Sequence, residues 1–189
     1  MRRLDLIIGP NGAGKSTFVE LTLAPLLPRD HIRVDEHAAR QKWPDRAEEM
    51  SYEAAQLAAA ARDRLLEQGR SFIAETVFSH PSKLELIERA QAAGFTVVVH
   101  VMLVPEAMSV RRVAYRVEAG GHSVAEDKIR SRYRRLWPLV VEAIRRADQA
   151  TVYDTASGTP AVVARFAAGV PVGVLRWPGW APAELSELG

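Results

Sequence analysis

The feature that most constrains this chain is Gly9-Pro10-Asn11-Gly12-Ala13-Gly14-Lys15-Ser16, where glycine, four residues, glycine, lysine and serine stand at the spacing of a phosphate-binding Walker A loop. Its setting matters as much as its letters. The run Leu4-Asp5-Leu6-Ile7-Ile8 before it suits a short buried parallel strand, and the residues from Lys15 to about Leu27 read as a helix. A strand that turns through glycines into a helix aims backbone N–H groups and the positive end of the helix dipole at one spot. Lys15 adds a full charge there, and the Ser16 hydroxyl can ligate Mg²⁺. Gly9, Pro10, Asn11, Gly12, Ala13, Gly14, Lys15, Ser16 and Thr17 are therefore the candidate residues for the phosphates of ATP or GTP, with Ser16 the candidate metal ligand.

The remainder alternates strands with helices. Pro28-Arg29-Asp30 marks a turn, and His31 to Val34 form a short strand that carries Asp35 at its carboxyl end. Residues 47–68 read as a long helix closed by Gly69. Ser71 to Ala74 form a strand delivering Glu75 and Thr76 to the edge that holds the P-loop, provided the strands are parallel. Pro81 opens a helix, with Ser82 and Glu85 at capping-box spacing, that ends at Gly94. Phe95 to Val104 is a β-branched run that reads as a central strand buried on both faces. Beyond Pro105, helices over about 106–118 and 124–147 are split by Gly120-Gly121 and restarted by Ser123 with Glu126, and Pro138 is expected to kink or break the second. Thr151-Val152-Tyr153 is a last strand, and Val162 to Leu175 suit a hairpin around Gly169 and Pro171. This order predicts right-handed crossovers and a mainly parallel sheet in a three-layer α/β/α fold.

Composition narrows the class. A chain of 189 residues, 48% hydrophobic and 25% charged, fits one globular domain. The absence of cysteine excludes disulfides, thiolate zinc sites and a thiol nucleophile. Met1-Arg2-Arg3 precedes an apolar run that Asp5 interrupts, which does not read as a signal peptide. No window offers the roughly 20 apolar residues of a membrane span, so the expectation is a cytoplasmic protein without membrane contact. The formal charge of +2 gives no argument for nucleic-acid binding. Lysine occurs only at 15, 42, 83 and 128, so arginine supplies most of the basic charge, which suits either phosphate recognition or a codon bias.

Several residues carry two readings. Asp35, 20 residues after Lys15, is either a general base for an acceptor hydroxyl or the cap of a helix starting near Glu36. Glu75 either meets substrate hydroxyls or a metal-bound water, or forms a surface ion pair. Arg112 with Arg116, and Arg130 with Arg134, stand four apart on helices, where like charges repel unless an anion lies between them or nearby glutamates pair with them. The P-loop string is also common in ABC-type ATPases, but the chain lacks a Leu-Ser-Gly-Gly-Gln signature and a strand ending in Asp-Glu; Val104 leads into Pro105-Glu106.

Taken together, Gly9 to Phe18, Val34-Asp35-Glu36, Phe72 through Glu75-Thr76 to Ser79, Arg112 through Arg116, and Gly120-Gly121-His122 to Arg132-Tyr133 resemble the zeta-toxin family of P-loop kinases. The likeness spans about residues 4–155. It implies a kinase-like P-loop NTPase core over 1–155, with an arginine-bearing helical lid over about 106–147 and a C-terminal extension, hairpin and tail, over 156–189. It also implies Lys15 and Ser16 as phosphate and Mg²⁺ residues, Asp35 as the base, Glu75 and Thr76 as part of the substrate pocket, and Arg116 and Arg132 as lid residues. Val77, Ala125 and Thr155 depart from the family pattern, which bears on the substrate more than on catalysis.

The resulting expectation is an ATP-dependent, Mg²⁺-requiring small-molecule kinase whose hydroxyl acceptor, by resemblance, is a UDP-sugar such as UDP-N-acetylglucosamine. An antitoxin protein partner is implied by the same resemblance. The rival readings are a P-loop ATPase switch without acceptor and a nucleic-acid 5′-hydroxyl kinase; the second calls for stacking aromatics, which are sparse here.

Overall fold

The computed structural model describes residues 2–35, 51–118 and 124–189. Glu36, residues 47–50, Gly120, Gly121, His122 and Ser123 lie outside the described residues. Within them, β1 (Arg3–Ile8), β2 (Ile32–Asp35), β3 (Phe72–Thr76), β4 (Thr96–Leu103), β5 (Gln149–Asp154), β6 (Ala161–Ala167) and β7 (Val170–Pro171) form one sheet in the order β2-β3-β1-β4-β5-β6-β7. The first five in that order are parallel, and β6 and β7 are added antiparallel. The helices are α1 (Lys15–Phe18), α2 (Ser51–Glu67), α3 (Ser82–Ala92), α4 (Glu106–Glu118), α5 (Glu126–Arg146) and α6 (Ala183–Ser186). This is the α/β fold with a mainly parallel sheet that the order of elements predicts.

Successive strand residues point to opposite faces, so an apolar run fills two cores at once. Leu4, Leu6 and Ile8 pack with Val97, Val99 and Val101 into the larger cluster, which Ala58, Leu65, Leu84, Ile87, Leu136, Trp137 and Val140 of α2, α3 and α5 complete. Ile7, Ile73 and Met102 face the other way, against Phe18, Val19 and Leu23. The C-terminal segment closes over the larger cluster through buried Leu185 and Leu188.

Asp5 is the exception in β1, fully buried on the α1 side. Its carboxylate accepts two bonds from Arg3, at 2.8 and 2.6 Å, and lies 2.9 Å from His100 Nε2, which must donate because a carboxylate cannot. Burial alone would raise the Asp5 pKa, but the bonds and charges of His100 and Arg3 outweigh it and hold the carboxyl below its ordinary value. Phe18 closes the network from above, its ring 5.7 Å from His100 and 4.8 Å from Tyr153.

Four elements differ from their expected form. The first helix passes at Val19 into a wider π turn and at Ala24–Leu26 into a tight 3₁₀ turn, because Pro25 has no N–H to continue the ladder. The strand before Glu75 extends through Thr76, so both residues sit in the sheet. Ser82 and Glu85 form no capping box; Ser82 Oγ meets His80 Nδ1 at 2.8 Å instead. Pro138 does not break α5, which runs unbroken from Glu126 to Arg146. Pro138 is exposed, so the bond it cannot make is lost on a face where water can replace it. No helix of the described residues is long and apolar enough to cross a membrane.

The Asp5 network gives a signed prediction. Because the folded pKa is depressed, its stabilisation is present above the ordinary Asp value near 3.8 and is lost as pH falls through the lower folded value. Asp5→Asn should cost about 3 kcal/mol in urea unfolding at neutral pH, and its stability should vary less than wild type below about pH 4. Identical pH slopes for the two proteins would assign the acid dependence elsewhere.

Candidate active site

The P-loop leaves β1 at the carboxyl edge of the sheet, held against β4. A Cβ on Gly9, whose φ is 152°, would stand 2.6 Å from the Met102 carbonyl oxygen, and one on Gly12, φ 71°, would stand 2.9 Å from the Ser109 carbonyl. Both positions need glycine for conformation and for space.

A loop that turns its N–H groups inward must point its carbonyls outward, where they need donors. The fold supplies them from α4 and from the end of β5. The Ser109 hydroxyl donates to Asn11 O at 2.6 Å, and Arg112 Nη1 donates to Gly12 O at 3.3 Å. Arg112 Nη2 reaches on to Thr155 O at 2.9 Å and Ala156 O at 3.0 Å. The Thr155 hydroxyl lies 3.0 Å from both Ala13 O and Leu103 O, its single proton serving one at a time. Asn11 Oδ1 is buried with no protein donor among the described residues.

Lys15 is buried, and its Nζ donates to Gly9 O and Pro10 O, each at 3.0 Å. The ammonium thus rests on the rim of the loop, on neutral carbonyls that a phosphate would outcompete as acceptor. Ser16 Oγ donates to Glu75 Oε1 at 2.8 Å, which leaves the hydroxyl lone pairs available to a cation and makes the site fit for Mg²⁺.

Parallel register brings the acidic residues to the same edge. Ile7 pairs with Glu75, Ile8 with Thr76, and Asp35 with Glu75 on the far side of β3. Glu75 and Thr76 are both buried. Thr76 Oγ1 accepts from the Phe78 N–H at 3.3 Å, in a turn where Phe78 takes φ 62°. Arg33 ties the carboxylates together: Nη2 lies 3.1 Å from Glu75 Oε2 and 3.3 Å from Asp35 Oδ2, while Nη1 binds Glu20 Oε1 at 2.9 Å. Burial works against the Arg33 charge, but Glu20, Glu75 and Asp35 outweigh it and raise its pKa.

The structure thus joins Lys15, Ser16, Glu75 and Asp35 into one edge. Arg116 is exposed near the end of α4 and Arg132 is half-buried in α5, on the two helices that flank residues 119–123. In each helical arginine pair one member has partners within the protein. Arg112 is taken up by three backbone carbonyls, and Arg130 pairs with Glu106 at 3.0 Å and Glu126 at 2.8 Å. Sequence reasoning missed Arg33 and Ser109 altogether. Arg33 had one available signal, its place two residues before Asp35 on the same strand face; Ser109 had none.

Fold and site together define a P-loop kinase fold. A family model described as Zeta toxin matches residues 2–158, and the chain belongs to that family. No curated protein matches it by sequence. Among solved structures it is similar to one from the PezAT chromosomal toxin–antitoxin system of Streptococcus pneumoniae, with 13% identity and a TM-score of 0.61 over 85% of this chain and 71% of that one. A putative kinase from Chloroflexus aurantiacus gives 18% identity and a TM-score of 0.61 over 82% and 89% of the two chains. The AvrRxo1-ORF1:AvrRxo1-ORF2 complex with ATP gives 16% identity and a TM-score of 0.65 over 100% of this chain and 62% of that one. Phosphoryl transfer is the chemistry that this family and fold support.

The carbonyl brace predicts that Arg112→Met costs about 1–3 kcal/mol in urea unfolding, because a charged donor is lost from three acceptors. It should also weaken a fluorescent ATP analogue by about tenfold, equivalent to about 1.4 kcal/mol. Arg116→Met, on the same helix, should leave stability within about 0.5 kcal/mol of wild type. Equal stabilities of the two variants would contradict the brace.

Proposed function

We propose that this protein is an ATP-dependent kinase that transfers a phosphoryl group to a hydroxyl of a small molecule, with a UDP-sugar such as UDP-N-acetylglucosamine as the leading acceptor. The observation that carries this reading is the chain of contacts from Ser16 through Glu75 and Arg33 to Asp35, which sets two carboxylates beside the P-loop. An ATP complex of a similar fold and membership of the zeta toxin family support the nucleotide, and family membership supports the acceptor.

Each residue then has a task. Backbone N–H groups of the loop from Gly9 to Thr17, Pro10 excepted because it has none, hold the phosphates, and Lys15 moves from the carbonyls of Gly9 and Pro10 to the terminal phosphates. Ser16 would offer its oxygen to Mg²⁺ while its hydroxyl proton stays on Oγ, donated to Glu75. Mg²⁺, when bound, supplies charge that neutralises the phosphates. Asp35 orients the acceptor hydroxyl and takes its proton, Glu75 and Thr76 line the acceptor side, and Arg116 and Arg132 meet the charge spread over the transferring group. Residues 1–155 form the catalytic core in this reading, and 156–189 extend its sheet. An antitoxin protein, by family membership, is the proposed macromolecular partner.

Lys15→Ala should abolish ADP release in the presence of Mg-ATP and UDP-N-acetylglucosamine. Asp35→Asn should slow transfer by about 10²-fold or more while nucleotide affinity changes little, since a general base acts on the acceptor. A variant that keeps full activity and only melts earlier would make Asp35 a helix cap. Arg116→Ala and Arg132→Ala should each slow turnover by about 10²-fold, with Arg165→Ala as the control outside the lid. Lid variants indistinguishable from that control would remove them from the mechanism.

A further inference from the structure

We infer that Arg33 is a resident counter-ion of the Asp35–Glu75 pair and keeps a free divalent cation off those carboxylates, so that metal is accepted only together with nucleotide phosphates. The inference rests on the kinase reading for the identity of the metal site, but its physical basis is independent of turnover.

Asp35 and Glu75 are register partners on adjacent parallel strands. Their side chains are only 9% and 7% exposed, so two negative charges are held close together where water screens them poorly. Arg33 lies on the same face of β2 as Asp35, and one of its nitrogens, Nη2, approaches both carboxylates, at 3.3 and 3.1 Å. Its other terminal nitrogen is fixed on Glu20 at 2.9 Å, which anchors the guanidinium from the solvent side. Glu75 is in turn the acceptor of the Ser16 hydroxyl, so one carboxylate links the guanidinium to the residue proposed to carry Mg²⁺.

A guanidinium donates hydrogen bonds but offers no lone pair, so Arg33 satisfies the carboxylates without being able to ligate a metal. A bare cation approaching Glu75 and Asp35 must overcome its charge and displace it. A cation already bound to the anionic phosphates brings compensating negative charge and further oxygen ligands, and needs only the Ser16 oxygen from the protein. Among the described residues, no group of three or more carboxylate or imidazole side chains is arranged to hold a metal ion. Relief of Arg33 should therefore leave Glu75 able to draw a cation weakly rather than complete a tight cage.

The test is Mn²⁺ binding to the nucleotide-free protein, followed by the loss of the free-ion signal in electron paramagnetic resonance. Wild type should take up almost no Mn²⁺, and Arg33→Met, which keeps the length of the side chain without its charge, should bind one Mn²⁺ per chain at least about tenfold more tightly. Adding Glu75→Gln to that variant should return binding to the wild-type level, and Arg33→Lys should preserve exclusion. Thermal melts establish that each variant is folded; if Arg33→Met is not, Arg33→Gln serves in its place. Tight Mn²⁺ binding by nucleotide-free wild type, or no gain in either neutral variant, would overturn the inference. Failure of wild type to bind Mn²⁺ together with a non-hydrolysable ATP analogue would instead contradict the kinase reading and leave the exclusion measurement standing.

Discussion

The site depends on where the P-loop carbonyls go. Backbone N–H groups can converge on a phosphate only if the carbonyls of the same residues turn outward, and outward here means into the protein, against the end of β4 and the start of α4. An unpaired carbonyl in that position costs about 1–3 kcal/mol. Ser109, Arg112 and Thr155 supply the missing donors, so a loop of glycines is held in shape by side chains about a hundred residues or more away in sequence. The buried β1–β4 pair, with Gly9 against the Met102 carbonyl, provides the rigid floor on which that brace acts.

The same sheet edge sets the chemistry. Parallel pairing of β2, β3 and β1 places Asp35, Glu75 and the entry to the P-loop at neighbouring register positions. Two buried carboxylates at such spacing need a cation, and the protein provides one in Arg33. Lys15, in turn, is parked on neutral carbonyls. Lys15 therefore holds neutral partners that a phosphate can outcompete, while Arg33 stays on its carboxylates, and that preorganises the edge for phosphates.

What the sequence made legible follows the range of the interactions involved. The P-loop was readable because glycine spacing, Lys15 and Ser16 are local and their geometry tolerates few substitutes. Asp35 and Glu75 were readable as edge residues because apolar runs ended just before them, although Glu75 and Thr76 proved to lie inside β3 rather than after it. Arg33, Ser109 and the bracing role of Arg112 and Thr155 were hidden, since each acts on a partner that only the tertiary fold brings near. Local signals also misled where tertiary context won: Ser82 turned to His80 instead of capping, and the packing of Leu136, Trp137, Val140 and Ile144 carried α5 past Pro138.

The central claim is that this edge passes a phosphoryl group from ATP to a hydroxyl rather than to water. A single-turnover experiment with ATP labelled in its γ-phosphate, run with and without UDP-N-acetylglucosamine, tests it most directly by following where the label goes. The account predicts that label moves into the sugar nucleotide when the acceptor is present and stays in ATP when it is absent. Label released as free phosphate, at a rate that UDP-sugars, nucleosides and 5′-hydroxyl oligonucleotides all leave unchanged, would contradict it.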